Sequence, residues 1–286
     1  MPFLPEEIQL ALIERGEITG IKSISGGSIN RAFEISTANT SYFLKYNSAK
    51  RYPKMFSSEY KGLQLLLASN SIKIPKPLLF MEGENYSFLL LELIKSKCPS
   101  IHFWQIFAEK LAELHRHSAT TFGLNFDNYM GSLPQSNARH QHFAPFFIEE
   151  RLQPQIKMAY DRNLLKDIHI QMSERLYTRL AAILPEEKPA LIHGDLWSGN
   201  LMSDEYGAPV VFDPACHYGH READIAMTQM FGGVASEFYH HYQECFPMEK
   251  GWQGRMKYYR LYPVLIHLNL FGSSYLHDFI SVIEKF

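Results

Sequence analysis

Apolar residues recur along this chain in two rhythms, and the change from one to the other divides it. Up to about residue 94 the rhythm is that of strands, with alternation and short apolar runs bounded by turn residues. Pro5 to Arg15, carrying Ile8 and Leu12 with Leu4 and Ile13 on the flank, predicts a weakly amphipathic helix. Ile21 to Ile24 begins a strand, Ser25 to Asn30 interrupts it with a glycine-rich tip, and Ala32 to Ile35 resumes it. Asn39-Thr40 turns the chain into a third strand, Tyr42 to Tyr46. Phe56, Tyr60, Leu63, Leu66 and Leu67 then mark a helix, with Glu59 flanking the apolar stripe. After Ile74-Pro75-Lys76-Pro77, Leu78 to Met81 and Ser87 to Leu91 form a hairpin that runs out at Glu92-Leu93-Ile94.

Beyond Pro99 the spacing becomes helical. Ile101 to His117 predicts a long amphipathic helix, Thr121 to His142 is loop-rich, and helical patterning returns over Phe143–Ile148, Leu152–Tyr160 and Leu164–Leu184. Val210-Val211-Phe212 reads as a strand, and a helix begins in the segment after Asp213-Pro214. Further helices near Ser236–Cys245, Arg255–Phe271 and Ser274–Glu284 are rich in Tyr and Phe and read as packing elements. The pattern predicts an α+β protein, sheet first and helices after, without internal repeats.

Composition narrows the class. With 286 residues, 46% hydrophobic and 14% aromatic, the chain can bury a sizeable core and is not of the disordered type. A formal charge of −2 lacks the basic excess of a nucleic-acid binder. Cys98, Cys216 and Cys245 are odd in number and lack ligand spacing, which argues against a disulfide framework and a zinc site. The His115/His117 pair, spaced i, i+2, points to different helix faces, and it reads as structural or solvated, like His140/His142 and His240/His241. Met1 to Glu7 has no basic stretch followed by an apolar run, and Ser87 to Ile94 is too short to span a bilayer. The expectation is a soluble protein of a reducing compartment.

The chemistry concentrates in Leu191 to Asn200, Leu-Ile-His-Gly-Asp-Leu-Trp-Ser-Gly-Asn, with Asp213 a hairpin downstream. This is the layout of a phosphoryl-transfer catalytic loop. An Asp accepts the proton of the attacking hydroxyl, an Asn five residues on binds Mg²⁺, and a second Asp completes the metal site. Asp195, Asn200 and Asp213 are the candidates, with turn-capping as the alternative reading of all three. Gly26, Gly27 and Ser28 let backbone N–H groups approach phosphate oxygens, or simply make a flexible hairpin turn; no Walker lysine follows. Lys45 shares a strand face with Phe43, where a kinase lysine holds the α/β-phosphates, unless it is solvated. Glu59, one turn before Leu63, offers the matching helical carboxylate. Glu92, Leu93 and Ile94 stand where a kinase hinge would bind adenine through its backbone. His193 and Asp224 are the candidates for structural support of the catalytic loop; Asp224 either braces it through backbone hydrogen bonds or simply favours a helix N-terminus. Only ten residues separate Asp213 from Asp224, so no long activation segment fits and a small-molecule acceptor follows more naturally than a peptide.

His-Gly-Asp-Leu-Trp-Ser-Gly-Asn at 193–200, Asp-Pro-Ala at 213–215, Tyr-Gly-His-Arg-Glu at 218–222 and Met-Phe-Gly-Gly at 230–233 resemble the fructosamine kinase (ketosamine-3-kinase) family. Gly-Gly-Ser-Ile-Asn at 26–30, Asp-Asn-Tyr-Met-Gly at 127–131 and Arg-Leu-Gln-Pro-Gln at 151–155 add to the resemblance, which spans nearly the whole chain. It implies a two-lobed protein-kinase-like fold, with a nucleotide-binding lobe over 1–94 and a helical lobe with catalytic loop and acceptor site over 95–286. It also implies transfer of phosphate from ATP, with Mg²⁺, to the 3-hydroxyl of a small-molecule or protein-bound ketoamine. By position, Asp195 would be the proton acceptor, Asn200 and Asp213 the Mg²⁺ ligands, and Lys45 and Glu59 the phosphate anchors. Some eukaryotic members carry a cysteine where Ser28 stands here, so a redox switch in that loop is not carried over. Trp197 and Tyr218 are expected to line the acceptor site, with a core role as the alternative. The implied protein is cytoplasmic, a monomer or weak homodimer, without nucleic-acid or membrane partners. An aminoglycoside- or choline-type acceptor, and a catalytically dead nucleotide-binding scaffold, are the competing readings.

Overall fold

The computed structural model describes residues 4–24 and 29–286, so the expected phosphate contacts of Gly26, Gly27 and Ser28 lie outside the described residues. The chain enters through α1 (Glu6–Leu12), then lays down β1 (Ile18–Ile24), β2 (Arg31–Thr37), β3 (Ser41–Ser48), α2 (Met55–Ala68), β4 (Pro77–Glu82) and β5 (Tyr86–Glu92). The strands form one antiparallel sheet in the order β1-β2-β3-β5-β4. β5 is apolar from Phe88 to Leu91 because both its faces are covered there. Phe88 and Leu90 join Leu44, Phe33 and Ile35 under α1 residues Leu4, Ile8 and Leu12. Leu89 and Leu91 pack on the other side with Phe56, Leu63 and Leu66 of α2. Strand alternation therefore sends Lys45, paired with Ala32 and Leu89, to the α2 side while its neighbour Leu44 is sealed beneath α1.

The helical part begins with α3 (Phe103–His115), two residues shorter at each end than its periodicity predicts. The loop-rich stretch that follows contains a small hairpin, β6 (Asn128–Met130) and β7 (Leu133–Gln135). α4 (Phe143–Phe146) runs through a π-turn at Phe147–Leu152 into α5 (Gln153–Asp161), and α6 (Asp167–Ile183) follows. β8 (Ala190–Ile192) delivers the catalytic loop, β9 (Leu201–Ser203) and β10 (Pro209–Val211) make the hairpin beyond it, and β11 (His217–Gly219) pairs back onto β8. The helix expected directly after Asp213 is thus preceded by a strand, and α7 starts at Arg221 (Arg221–Thr228).

Four more helices complete the chain: α8 (Ser236–Cys245), α9 (Trp252–Tyr259), α10 (Leu261–Phe271) and α11 (Leu276–Ile283). The single helix expected over Arg255–Phe271 is divided at Arg260. Pro263 has no N–H for the Tyr259 carbonyl, and its ring crowds that carbonyl. One continuous core joins α2 and the inner sheet face to the helices, with Phe107 of α3 stacked 4.8 Å from Phe238 of α8. Away from the cleft, Lys73 ties the sheet-bearing part to the β9–β10 hairpin. Its ammonium lies 2.7 Å from Asp204 and its carbonyl accepts the Val211 N–H. No helix among the described residues is long and apolar enough to cross a membrane.

Candidate active site

The catalytic loop is built from backbone geometry before any side chain acts. Gly194 has φ +82°, and a Cβ there would lie 2.3 Å from the Ala215 carbonyl oxygen, so only glycine lets the loop pass this close to the segment after Asp213. Ala215 N–H donates to the His193 carbonyl across the same gap. Asp224, from the first turn of α7, accepts the N–H groups of His193 at 2.7 Å and Gly194 at 2.8 Å. Its Oδ2 also lies 3.2 Å from His115 Nε2, whose other ring nitrogen meets Tyr242 Oη at 2.7 Å. Burial works against the Asp224 charge, but His115 and these N–H donors outweigh it and hold the carboxyl below its ordinary range. His193 is fully buried, with Nε2 donating to the Phe212 carbonyl and Nδ1 accepting the Asp195 N–H. Burial lowers its pKa, which fixes a neutral ring that pins both ends of the loop.

Asp195 and Asn200 then meet. The Asn200 amide nitrogen donates to the Asp195 carbonyl at 2.9 Å and to Asp195 Oδ2 at 3.0 Å. The amide is thereby oriented with its oxygen left over. Burial and the nearby Asp213 push the Asp195 carboxyl up to about 7, against the pull of the Asn200 bond. Asp213 adopts φ 55°, a left-handed backbone uncommon outside glycine, and its side chain remains 47% exposed to the cleft.

From the sheet side, Lys45 is 3% exposed and its ammonium lies 2.5 Å from Glu59 Oε1 and 2.7 Å from Asp213 Oδ1. Burial disfavours the Lys45 charge, yet Asp213 and Glu59 together raise its pKa above the usual lysine range. Burial lifts Glu59 to about 7, with Lys45 pulling the other way.

Lys45, Glu59, Asp195, Asn200 and Asp213 line one cleft of about 260 Å³ between the sheet and the helices. Trp197 lines it too, its ring lying over Gly199 and edge-on to Phe231 at 5.4 Å. Tyr218 does not: it sits in β11, its backbone paired with Leu191 of β8 and hydrogen-bonded to Gly123, so strand pairing holds it away from the cleft. Glu92 ends β5 and Leu93 and Ile94 follow it, all three outside the cleft lining, and the Glu92 N–H is already spent on the Lys76 carbonyl.

Two lining residues were not expected: His267 carries no motif, and Tyr129 lies in Asp-Asn-Tyr-Met-Gly at 127–131 with no role read for it. His267, from α10, donates Nδ1–H to the Pro263 carbonyl at 2.7 Å, which leaves Nε2 as an acceptor, and burial keeps the ring neutral. Tyr129 enters from β6. Among the described residues, the one three-residue His/acid cluster with metal-ligand spacing is His140, Glu149 and Glu150, where His140 pairs with Glu150 at 2.9 Å.

A sheet with a buried lysine–glutamate pair, facing a loop that presents a carboxylate and an amide oxygen, defines a kinase-like phosphotransferase. Solved structures agree on that fold. An aminoglycoside phosphotransferase in ternary complex with AMP-PNP and hygromycin B superposes with a TM-score of 0.68 at 14% identity, covering 97% of each chain. A candidate fructosamine-3-kinase of Haemophilus somnus superposes with a TM-score of 0.87 at 30% identity, covering 97% of this chain and 96% of that one. The fructosamine kinase family profile matches residues 4–286, and the chain belongs to that family. It is 38% identical over 268 residues to a probable ketoamine kinase of Enterococcus faecium, covering 92% of this chain and 94% of that one. It is 37% identical to a chloroplastic protein-ribulosamine 3-kinase of rice, covering 94% of this chain and 79% of that one.

Proposed function

We propose that this chain is an ATP-dependent ketosamine 3-kinase. It would transfer the γ-phosphoryl group of ATP to the 3-hydroxyl of a sugar-derived ketoamine, free or on a protein lysine. The observation that carries the reading is the convergence of Lys45, Glu59, Asp195, Asn200 and Asp213 on a single cleft. Relatives named ketoamine kinase and protein-ribulosamine 3-kinase supply the acceptor class.

Lys45 holds phosphate oxygens, kept charged and aimed by Glu59. Asp195 aligns the acceptor hydroxyl and takes its proton as the new phosphorus–oxygen bond forms and the bond to the β-phosphate oxygen of ADP breaks. A carboxyl raised to about 7 is a capable proton acceptor near neutrality. Asn200 Oδ1, left over by the amide's bonds to Asp195, and the half-exposed Asp213 carboxylate are hard oxygen donors that suit Mg²⁺. When bound there, the ion would neutralise phosphate charge. Trp197 and His267, with Phe231 packed against both, form the wall against which the sugar would lie, an aromatic surface suited to C–H faces.

In this reading residues 1–94 form the nucleotide lobe and 95–286 the acceptor lobe, the backbone after β5 faces adenine, and the protein works in the cytoplasm as a monomer or weak homodimer. The deciding experiment measures ATP turnover against ribuloselysine, fructoselysine and an aminoglycoside in parallel. Turnover with the ketoamines alone is the expected result, and turnover with the aminoglycoside alone would overturn the assignment.

A further inference from the structure

In kinase-like folds the helix that carries the lysine's glutamate has to be held in place before the nucleotide site is complete. Here the connection from Asp213 to α7 is short, and part of it is β11, so no long activation segment is present to do the holding. The β6–β7 hairpin occupies a place from which it can. Tyr129 Oη donates to the Pro53 carbonyl at 2.9 Å, two residues before α2 begins and one turn further from Glu59. That bond reaches from the helical lobe to the sheet-bearing lobe.

The hairpin is itself anchored to the metal-ligand segment. Asn128 Nδ2 donates to the Cys216 carbonyl at 3.0 Å. Gln135 Nε2 donates to Asn128 Oδ1 at 2.7 Å and lies 3.3 Å from the Ala215 carbonyl, and Tyr262 of α10 closes the network on Gln135 Oε1 at 2.7 Å. Asn128 and Gln135 are both buried, so this base is rigid and its polar groups are satisfied. The same segment touches α2 directly: a Cβ on Gly62 would lie 2.9 Å from Cys216 Sγ. α2 is thus gripped at its start by Tyr129 and at its middle by Cys216, both fastened to the stretch that follows Asp213.

We propose that the β6–β7 hairpin does the work of an activation segment, holding α2 and Glu59 in register with Lys45, and that Tyr129 is the positioning residue that makes the contact between the lobes. The proposal rests on the phosphotransferase reading for its kinetic consequence, but its structural content is independent of it.

Tyr129→Phe removes only the hydroxyl, so hydrogen exchange and kinetics can be compared on the same folded protein. In the ligand-free protein, exchange of the amides in the first turns of α2 should rise about three- to tenfold, the range one lost hydrogen bond allows. The KM for ATP should rise by a similar factor with the ketoamine KM unchanged. In a Glu59→Gln background the second substitution should add nothing to the ATP effect, because both act through one pair. Unchanged exchange in α2, a shift in ketoamine KM in place of ATP KM, or full additivity with Glu59→Gln would each overturn the proposal. A wild-type chain that binds no ATP would instead overturn the phosphotransferase reading, and the exchange measurement alone would then decide this one.

Discussion

The Asn200 amide nitrogen sits 3.0 Å from Asp195 Oδ2, so one side chain both fixes the carboxylate proposed as proton acceptor and chooses which of its own atoms faces the cleft. Only the oxygen remains for a cation. Asn200→Ala should therefore lower kcat about 100-fold or more, the scale seen when one preorganised electrostatic contact is lost. Steady-state kinetics with Mg²⁺ in excess checks this. A variant with wild-type kcat would remove Asn200 from the site.

As the proposed proton acceptor, Asp195 would give the site its pH dependence. Its carboxyl stands at about 7, raised from the ordinary range by burial and Asp213. The ionised form accepts the proton, so kcat/KM should fall as pH drops below about 7. Asn200 holds that value down, so Asn200→Ala should move the acidic limb to higher pH. Asp195→Asn should abolish the limb along with most turnover, while ATP binding measured by calorimetry stays nearly intact. A limb that persists in Asp195→Asn would assign it to another group.

Two buried histidines make the fold acid-sensitive. His217 and His220 are held neutral by burial, at about 3 and about 4. Unfolding restores the ordinary value near 6.5, so the unfolded chain takes up protons first as pH falls. Stability is full above about 6.5 and declines until about 4 for His220 and about 3 for His217, each ring costing about 2 kcal/mol at pH 5. His220→Asn, which can still cap α7 as His220 Nδ1 does for the Glu222 N–H, should flatten part of this decline in denaturant titrations at pH 5 and 7.5. Equal slopes for both proteins would rule His220 out as a contributor.

Gly194→Ala places a methyl 2.3 Å from the Ala215 carbonyl oxygen at a positive φ. Relief requires moving the backbone that carries Asp195 or Asp213, so the variant should lose about 2 kcal/mol or more of stability and nearly all activity. Thermal unfolding and turnover together test it. A fully active Gly194→Ala would mean the loop has slack that the geometry denies.

Trp197 and His267 line the cleft, and the proposed reading lays the sugar against them. Trp197→Leu and His267→Ala should each raise the ketoamine KM about tenfold, about 1.4 kcal/mol of contact, with ATP KM within twofold. Effects confined to ATP would place the sugar elsewhere.

Much of this architecture could be read before any coordinates. Strand alternation put Lys45 on the α2 side, and the structure carries it there because Leu44 is claimed by the core under α1. The sequence interval from Asp195 to Asn200 let the two be paired, since a five-residue loop closes on itself. What escaped was long-range or too short to register. β6 and β7 have three residues each, below the length at which alternation is a signal. His115 is 109 residues from Asp224, and no local pattern links them. His267 lies on a helix apolar nearly all round, so its one polar group is masked by core spacing. Tyr218 misled because an aromatic just after a metal-ligand segment has no register of its own. β11 pairing, itself unexpected, decides where it goes.

The short link from Asp213 to α7, half of it committed to β11, has a further consequence. Between Asp213 and α7 there is no slack stretch whose covalent tagging could move the two relative to each other, so this part of the cleft is assembled as soon as the chain has folded. In the proposed reading, throughput would then follow the supply of ketoamine and the number of copies made.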